Sequence, residues 1–467
     1  MTGTCKLTDR RRTLIFINII ISCIATSMLA TALSTALPQM ASDLHISIST
    51  GQWITSGYSL AMGIIMPLTA FLITRFPTKK LYLTAIICFT LGLAICAISP
   101  NFELMMVGRV LQACGNGLLM SMAQVVLLTI YPVEKTGTVM GWYGLAVGAA
   151  PVVAPTIAGF LIDTVGWRMI FYISIIIMLI SFVFAIKVFA NVLETAEKKF
   201  DFVSFAISIF AFGGITLGIG NIGSFKFVSA QILLPLIVGI ITSALFAYRQ
   251  LHLKQPFLDI RILKNKNYSL SVIGCMLLYF VMMGSSVIIP VYVQTIMGYS
   301  AITSALVSLP GSVAMAIISP FAGKIYDKFG MRKLFIAGSA FMLISNIGMV
   351  FITMNTSIWI ASAYNVVRCV SIGCLMMPLV TWGVSDISGS LTADGTALLT
   401  SFRTIAGAIG SAIFVGIMTV VGNNSISKYG ESAQIHGLNI TFLAMSIFTL
   451  LLLFVAVFLV RDKKTNA

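Results

Sequence analysis

The sequence predicts an all-α polytopic membrane protein with fourteen spanning helices. Two six-helix halves are related by a parallel repeat, and two extra helices lie between them. Three observations carry this reading. Of 467 residues, 58% are hydrophobic and only 9% charged, with a mean hydropathy of +1.01. Soluble domains carry roughly 25% charged residues, so a water-soluble globular fold is excluded. The apolar residues gather into fourteen stretches, each near the ~20 residues a span needs, and one segment recurs at a fixed offset.

The stretches are 13–35, 52–74, 80–98, 104–127, 137–161, 167–189, 203–221, 230–249, 269–292, 302–323, 333–354, 357–380, 397–421 and 439–460. The least regular are the Gly-rich 203–221 and the break between 333–354 and 357–380. Ala30-Thr31-Ala32 loosely mimics a signal-peptidase site, but the apolar run around it exceeds the 7–15 residues of a signal core. It reads as the first span.

Charge placement orients the spans. In a soluble chain, 29 Lys and Arg against 14 Asp and Glu would suggest nucleic acid. Here 23 of the 29 fall on the side of the N-terminus, among them Arg10, Arg75, Lys135, Arg261 and Lys333. Arg168, Lys226 and Lys428 fall on the other side, and Arg109, Arg368 and Arg403 lie within spans. This is the positive-inside pattern. It predicts a multi-pass protein of the cell membrane with both termini cytoplasmic, partnered by the lipid bilayer and not by nucleic acid. Seven of the eight cysteines lie in apolar runs without metal-ligand spacing and read as reduced packing residues.

Residues 61–83 and 314–336 align without a gap at an offset of 253: Ala61-Met62 with Ala314-Met315, Pro67 with Pro320, Arg75-Phe76 with Lys328-Phe329. Gly137-Thr138 matches Gly395-Thr396, and Arg109 matches Arg368. The repeat assigns 1–190 to an N-terminal half, 191–267 to a linker holding the two extra helices, and 268–467 to a C-terminal half.

Three motifs carry a family resemblance. The segment after helix 10 reads Gly323-Lys-Ile-Tyr-Asp327-Lys-Phe-Gly330-Met-Arg332-Lys333. Its glycines suit tight turns, and its Asp suits the positive end of a neighbouring helix. In helix 4, Arg109, Gln112 and Asn116 are spaced i, i+3 and i+7 on one face. An Arg inside a span costs at least ~2.5–3.5 kcal/mol at the helix centre, so this face should point inward. Helix 5 carries Gly144, Gly148, Pro151, Pro155 and Gly159, a pattern for close helix contact and local bending. Together these resemble the major facilitator superfamily, and within it the fourteen-helix drug:proton antiporter branch (EmrB/QacA-like). The run Ala70–Leu83 is most similar to lincomycin-resistance members. The resemblance implies a major facilitator fold and a multidrug exporter working by alternating access with proton antiport.

The sequence departs from that family pattern in two places. Leu29 stands where many members carry an Asp in helix 1, and Ala70, Thr74 and Pro77 replace the Gly, Asp and Gly of the first loop motif. None of the 14 acids falls at the middle of a span. Protons, if coupled, are left with Asp43, Glu103 or Asp163 at the ends of helices. By the repeat, Asp327 should face the start of helix 5 and Thr74 the start of helix 13, where Asp394 is expected to cap the helix.

The spans instead hold cations. Arg368 and Arg403 have no buried acid to balance them, and unpaired buried charge is costly. An anionic substrate, or water in a central cavity, would balance them. A second reading is therefore an exporter of an endogenous anionic metabolite with other energy coupling. The cavity is expected to draw on Tyr58, Asn116, Gln124, Trp142, Tyr143, Asn346, Asn365, Arg368 and Arg403. No nucleophile, metal or nucleotide-binding motif occurs, so neither enzyme activity nor a cofactor is expected, and the chain should act as a monomer on a lipophilic or anionic small molecule.

Overall fold

The computed structural model describes residues 7–51, 53–197, 200–221 and 229–460, and every long element among them is a helix. In chain order these are α1 (Asp9–Asp43), α2 (Trp53–Arg75), α3 (Thr78–Ile98), α4 (Phe102–Ile130), α5 (Val133–Val165), α6 (Arg168–Val188) and α7 (Phe202–Gly220). There follow α8 (Ala230–His252), α9 (Lys266–Val291), α10 (Ala301–Phe329), α11 (Met331–Val350), α12 (Ile358–Ser385), α13 (Thr392–Asn424) and α14 (Ala433–Phe454). Among the described residues thirteen helices are long and apolar enough to cross a bilayer. The remaining one of the fourteen, α5, runs for 33 residues.

The helices outrun the apolar stretches because polar termini find caps. Thr8 accepts from the Arg11 N–H and starts α1 at Asp9. Asn101 caps α4 through Leu104, and Asp201 caps α7 through Ser204. Such caps meet N–H groups that a helix end leaves unsatisfied. The difference that bears on the loop motif is α10, which continues to Phe329. Most of the expected loop motif is therefore helix, and Gly330, at φ 76°, alone makes the turn into α11.

The two halves pack alike. In the first, α1 lies on α5 and α6, α4 on α2 and α3, and α6 on α3; in the second, α9 lies on α13 and α14, α12 on α10 and α11, and α14 on α11. Without a hydrophobic drive between helices in lipid, close approach depends on small residues and buried hydrogen bonds. A Cβ on Gly92 would meet the Gly108 carbonyl at 2.6 Å, and one on Gly410 would collide with the Phe280 carbonyl. Ser22 bonds Tyr82 at 2.9 Å and Ser181 at 2.8 Å, joining α1 to α3 and α6.

The halves meet along two repeat-related seams, α5 against α10 and α2 against α13. The extra helices α7 and α8 pack on each other, and α7 also touches α2 and α13. At the face of the molecule carrying the basic loops, called the basic face below, their flanking segments tie into both halves. The Ala196 N–H donates to the Thr74 carbonyl at 2.9 Å, and the Asp259 N–H to Asp394 at 3.4 Å. Phe71 of α2, Phe205 of α7, and Phe200 and Phe257 of the connecting segments form one aromatic cluster.

Candidate functional site

The α5–α10 seam closes at the basic face through one carboxylate. Asp327 accepts from the Gly137 N–H at 2.8 Å, the Thr138 N–H at 2.7 Å and the Thr138 hydroxyl at 2.6 Å. These N–H groups belong to the second turn of α5, four and five residues past its start at Val133 and near the positive end of the helix dipole. Charge-assisted bonds of this kind are among the stronger ones. Gly323 lies one helical turn from Asp327, and a Cβ there would collide with the Gly137 carbonyl. Further along α5, Cβ atoms on Gly141, Gly144 and Gly148 would come within 2.5–2.7 Å of Ser319, Met377 and Met315. Gly159, nearer the opposite face, has nothing within 4 Å of such a Cβ. Among the described residues the seam is thus tight at the basic face, and open space surrounds Gly159 away from it.

The repeat-related seam lacks this bond. Thr74 turns its hydroxyl back to the Ala70 carbonyl at 2.9 Å, and Thr396, the counterpart of Thr138, has a buried hydroxyl with no partner among the described residues. Asp394 is not the cap of α13, because the helix begins two residues earlier at Thr392. It is instead a 2% exposed residue of the first turn that holds the linker through Asp259. Arg75, Arg332 and Lys333 are exposed at the same face. Arg332 donates to the Val457 carbonyl at 3.3 Å, and Lys333 lies 5.6 Å from the Phe329 ring.

Within α4, Arg109, Gln112 and Asn116 are all buried on one face. Arg109 donates to the Ile54 carbonyl at 2.8 Å and to Gln112 at 2.6 Å, and stacks 4.0 Å over the Tyr58 ring. Gln112 in turn donates to Cys96 at 3.2 Å, and Asn116 to the Tyr58 hydroxyl at 2.6 Å. Neutral acceptors and an aromatic face therefore hold this cation without a carboxylate. The roles of Ile54 and Cys96 were not legible in the sequence, since a backbone carbonyl and an apolar-run cysteine carry no pattern.

The remaining cavity candidates separate. Tyr143 comes together with Gln124 and Cys23, whereas Arg403 of α13 lies 4.9 Å over the Tyr279 ring. Arg368 is 1% exposed and lies 5.0 Å from the Phe442 ring, with all three side-chain nitrogens unpartnered among the described residues. Three further candidates lie apart from these. Trp142 is 48% exposed, on the α5 face shared with Phe160 five turns on, so it points away from the glycines that meet α10. Asn346 bonds Thr449 at 2.9 Å and fastens α11 to α14 inside the second half. Asn365 packs so closely on Gly311 of α10 that a Cβ there would lie 2.8 Å from its amide. The side chains of Pro151, Pro155 and Asp163 lie outside the described residues.

Of the acids considered for protons, Asp43 accepts from Trp167 Nε1 at 2.7 Å and lies 3.8 Å from Arg168, pinning α1 to the start of α6. Glu103 is exposed in the first turn of α4. Leu29 is 2% exposed and borders an apolar crevice of about 50 Å³ lined by Ala25, Ala158 and Ile170.

Comparison with known proteins agrees with this architecture. The family model described as Major Facilitator Superfamily matches residues 15–411. The lincomycin resistance protein LmrB of Listeria monocytogenes is 34% identical over 404 residues, 86% of this chain and 85% of its own length. The multidrug export protein EmrB of Escherichia coli is 25% identical, covering 84% of this chain and 77% of its own. The crystal structure of the human organic anion transporter MFSD10 superposes with a TM-score of 0.64 at 13% identity, over 95% of this chain and all of that one. A duplicated six-helix bundle, a carboxylate clasp between its halves and a match over most of the length have one meaning: the chain is a multi-pass membrane transporter belonging to the Major Facilitator Superfamily.

Proposed function

We propose that this chain exports small lipophilic organic compounds from the cell by alternating access, with the basic face cytoplasmic and proton entry as the driving force. The observation that carries the reading is the Asp327 clasp on Gly137 and Thr138. It joins the halves at one face of the membrane, while a Cβ on Gly159, nearer the other face, would have nothing within 4 Å. Halves joined at one face can rock apart there and close at the other, which is how a duplicated bundle exposes a central site to each side in turn. Similarity to a lincomycin resistance protein and a multidrug export protein supports the class of cargo and the direction.

The experiment is resistance and dye accumulation in cells expressing the chain, at two external pH values, followed by transport into inside-out vesicles. Lincomycin resistance and ethidium uptake into vesicles that rise with an imposed pH gradient are expected. Pumping indifferent to that gradient would remove the proton from the reading, and no transport of either compound would remove export.

The second reading, an exporter of an endogenous organic anion, is favoured by one observation: Arg368 and Arg403 lie in spans without any anionic partner among the described residues.

A further inference from the structure

At the basic face α10 offers its seam Asp327, whereas α2 offers the α2–α13 seam Thr74, turned back on Ala70. What joins α2 to α13 there is chain on either side of α7 and α8. Residues 191–196 lie on the turn between α2 and α3. Asn191 accepts from the Lys79 N–H at 3.0 Å, Thr78 from the Leu193 N–H at 3.1 Å, and the Ala196 N–H reaches the Thr74 carbonyl. After α8, residues 253–265 lead into α9 and so belong by connection to the second half. Yet Phe257, 2% exposed, stacks on Phe71 of α2, with ring centroids 6.0 Å apart and planes 17° apart. Two residues on, the Asp259 N–H meets Asp394 of α13, and Asn265 donates at 2.9 Å to the Asp386 carbonyl just past α12. One short segment thus touches α2 on one side and the ends of α12 and α13 on the other.

The extra helices set its path. Gln250, fully buried in the last turn of α8, accepts from the Phe257 N–H at 2.7 Å and the Leu258 N–H at 3.2 Å. Its amide nitrogen donates to Ser204 of α7 at 2.7 Å, and beside it Arg249 pairs with Asp201 at 3.0 Å. Buried N–H groups need partners, so one glutamine fixes where Phe257 and Leu258 lie, and α7 fixes the glutamine. Phe200 and Phe205 close on Phe257 with ring centroids 6.1 and 6.2 Å away, within the range of favourable aromatic pairs. Parting the halves at the basic face must break either the Phe71 stack or the hold on α12 and α13.

We propose that residues 253–265 are a strap, shaped by α7 and α8, which fastens the α2–α13 seam at the basic face in place of a carboxylate clasp and releases when that face opens. The two extra helices thereby gain a conformational role. The inference rests on the alternating-access reading but not on the identity of the cargo.

The test uses the full-length protein in lipid nanodiscs, spin-labelled at cysteines placed at Lys80 and Gly389. Both positions are exposed on either side of the seam, and a side chain at Gly389 has open space. Gln250→Leu and Phe257→Ala should each raise the separated population by about threefold or more, and the effect should multiply with that of Asp327→Asn. Labels at the exposed Glu103 and Lys428, at the opposite face, should not move apart. Unchanged Lys80–Gly389 distances, or equal lengthening at both faces, would overturn the proposal. A second measurement leaves the strap sequence intact, so it reports even if those variants fail to fold. Hydrogen exchange over residues 253–260 should quicken in Asp327→Asn as the halves separate. Separation of the halves with that exchange unchanged would show that the segment rides on one half and fastens nothing. These readouts need no cargo, so they report on the strap even where neither lincomycin nor ethidium is exported.

Discussion

Asp327 and Thr138 belong to different halves of the chain and share two hydrogen bonds, at 2.7 and 2.6 Å. Bonds to a charged group contribute about 1.5–3 kcal/mol net, and 1.4 kcal/mol is a tenfold change in an equilibrium. Asp327→Asn keeps the shape and removes the charge. It should shift the halves toward separation at the basic face by about tenfold, read from spin-label distances between cysteines placed at the exposed Lys135 and Lys324. An unchanged distance distribution would show that the clasp is not a gate.

The orphan hydroxyl of Thr396 marks the place where the second clasp is missing. Thr74→Asp would put a carboxylate at the position that corresponds to Asp327. With Asp394 buried nearby in the first turn of α13, like charge opposes the benefit. Transport should therefore fall more in Asp327→Asn than it rises in Thr74→Asp. A strong gain in the latter would contradict the argument.

Gly323→Ala should separate the α5–α10 seam, because the added methyl meets the Gly137 backbone, which cannot swing aside. Loss of most transport with the chain still folded is expected. Gly159→Ala, with open space around it, should transport as the wild type does. Equal effects from both would indicate that general helix propensity, rather than the seam, sets the outcome.

Removing Gln112 leaves Arg109, 1% exposed, with one acceptor fewer. Gln112→Leu should lower stability by about 1–3 kcal/mol, seen as an earlier thermal unfolding midpoint in detergent. Arg109→Lys should also be destabilising, since an ammonium cannot span Ile54 and Gln112 with fixed planar geometry. A midpoint matching the wild type in both would remove this network from the stability of the first half.

At the start of α7, desolvation works against the Asp201 carboxylate, but bonds from Ser204 and Arg249 outweigh it and hold the group below its ordinary range. A depressed folded value adds stability above the ordinary Asp range, near ~3.9, and loses it as pH falls through the folded value. Asp201→Ala should cost about 1 kcal/mol at neutral pH through the lost cap. Acidification below about pH 4 should destabilise the wild type more than the variant. Parallel pH profiles would assign the cap's contribution to something other than charge.

The fold was legible because hydropathy and charge are bulk signals: each apolar run has a helix, and the offset of 253 residues corresponds to packing that repeats between the halves. The site was only partly legible. Arg109, Gln112 and Asn116 were found by helical spacing, and Asp327 by its repeat. Cavity candidates chosen by residue type fared worse. Trp142 and Asn346 have suitable chemistry but sit on outward or intra-half faces, and a single helix face does not reveal which neighbour it meets. The stacking of Arg403 over the Tyr279 ring joins two helices with no sequence pattern in common, so only the three-dimensional arrangement brings it out.

The clasp at Gly137 sits four residues from the start of a 33-residue helix. At 1.5 Å per residue, α5 is a rod about 50 Å long anchored near one tip. Pivoted there, a tilt of about 10° sweeps the far tip, about 42 Å away, through about 7 Å, by the same helix geometry. Mechanical advantage therefore favours the face opposite the anchor: small yielding at a few hydrogen bonds becomes an aperture wide enough for an organic molecule.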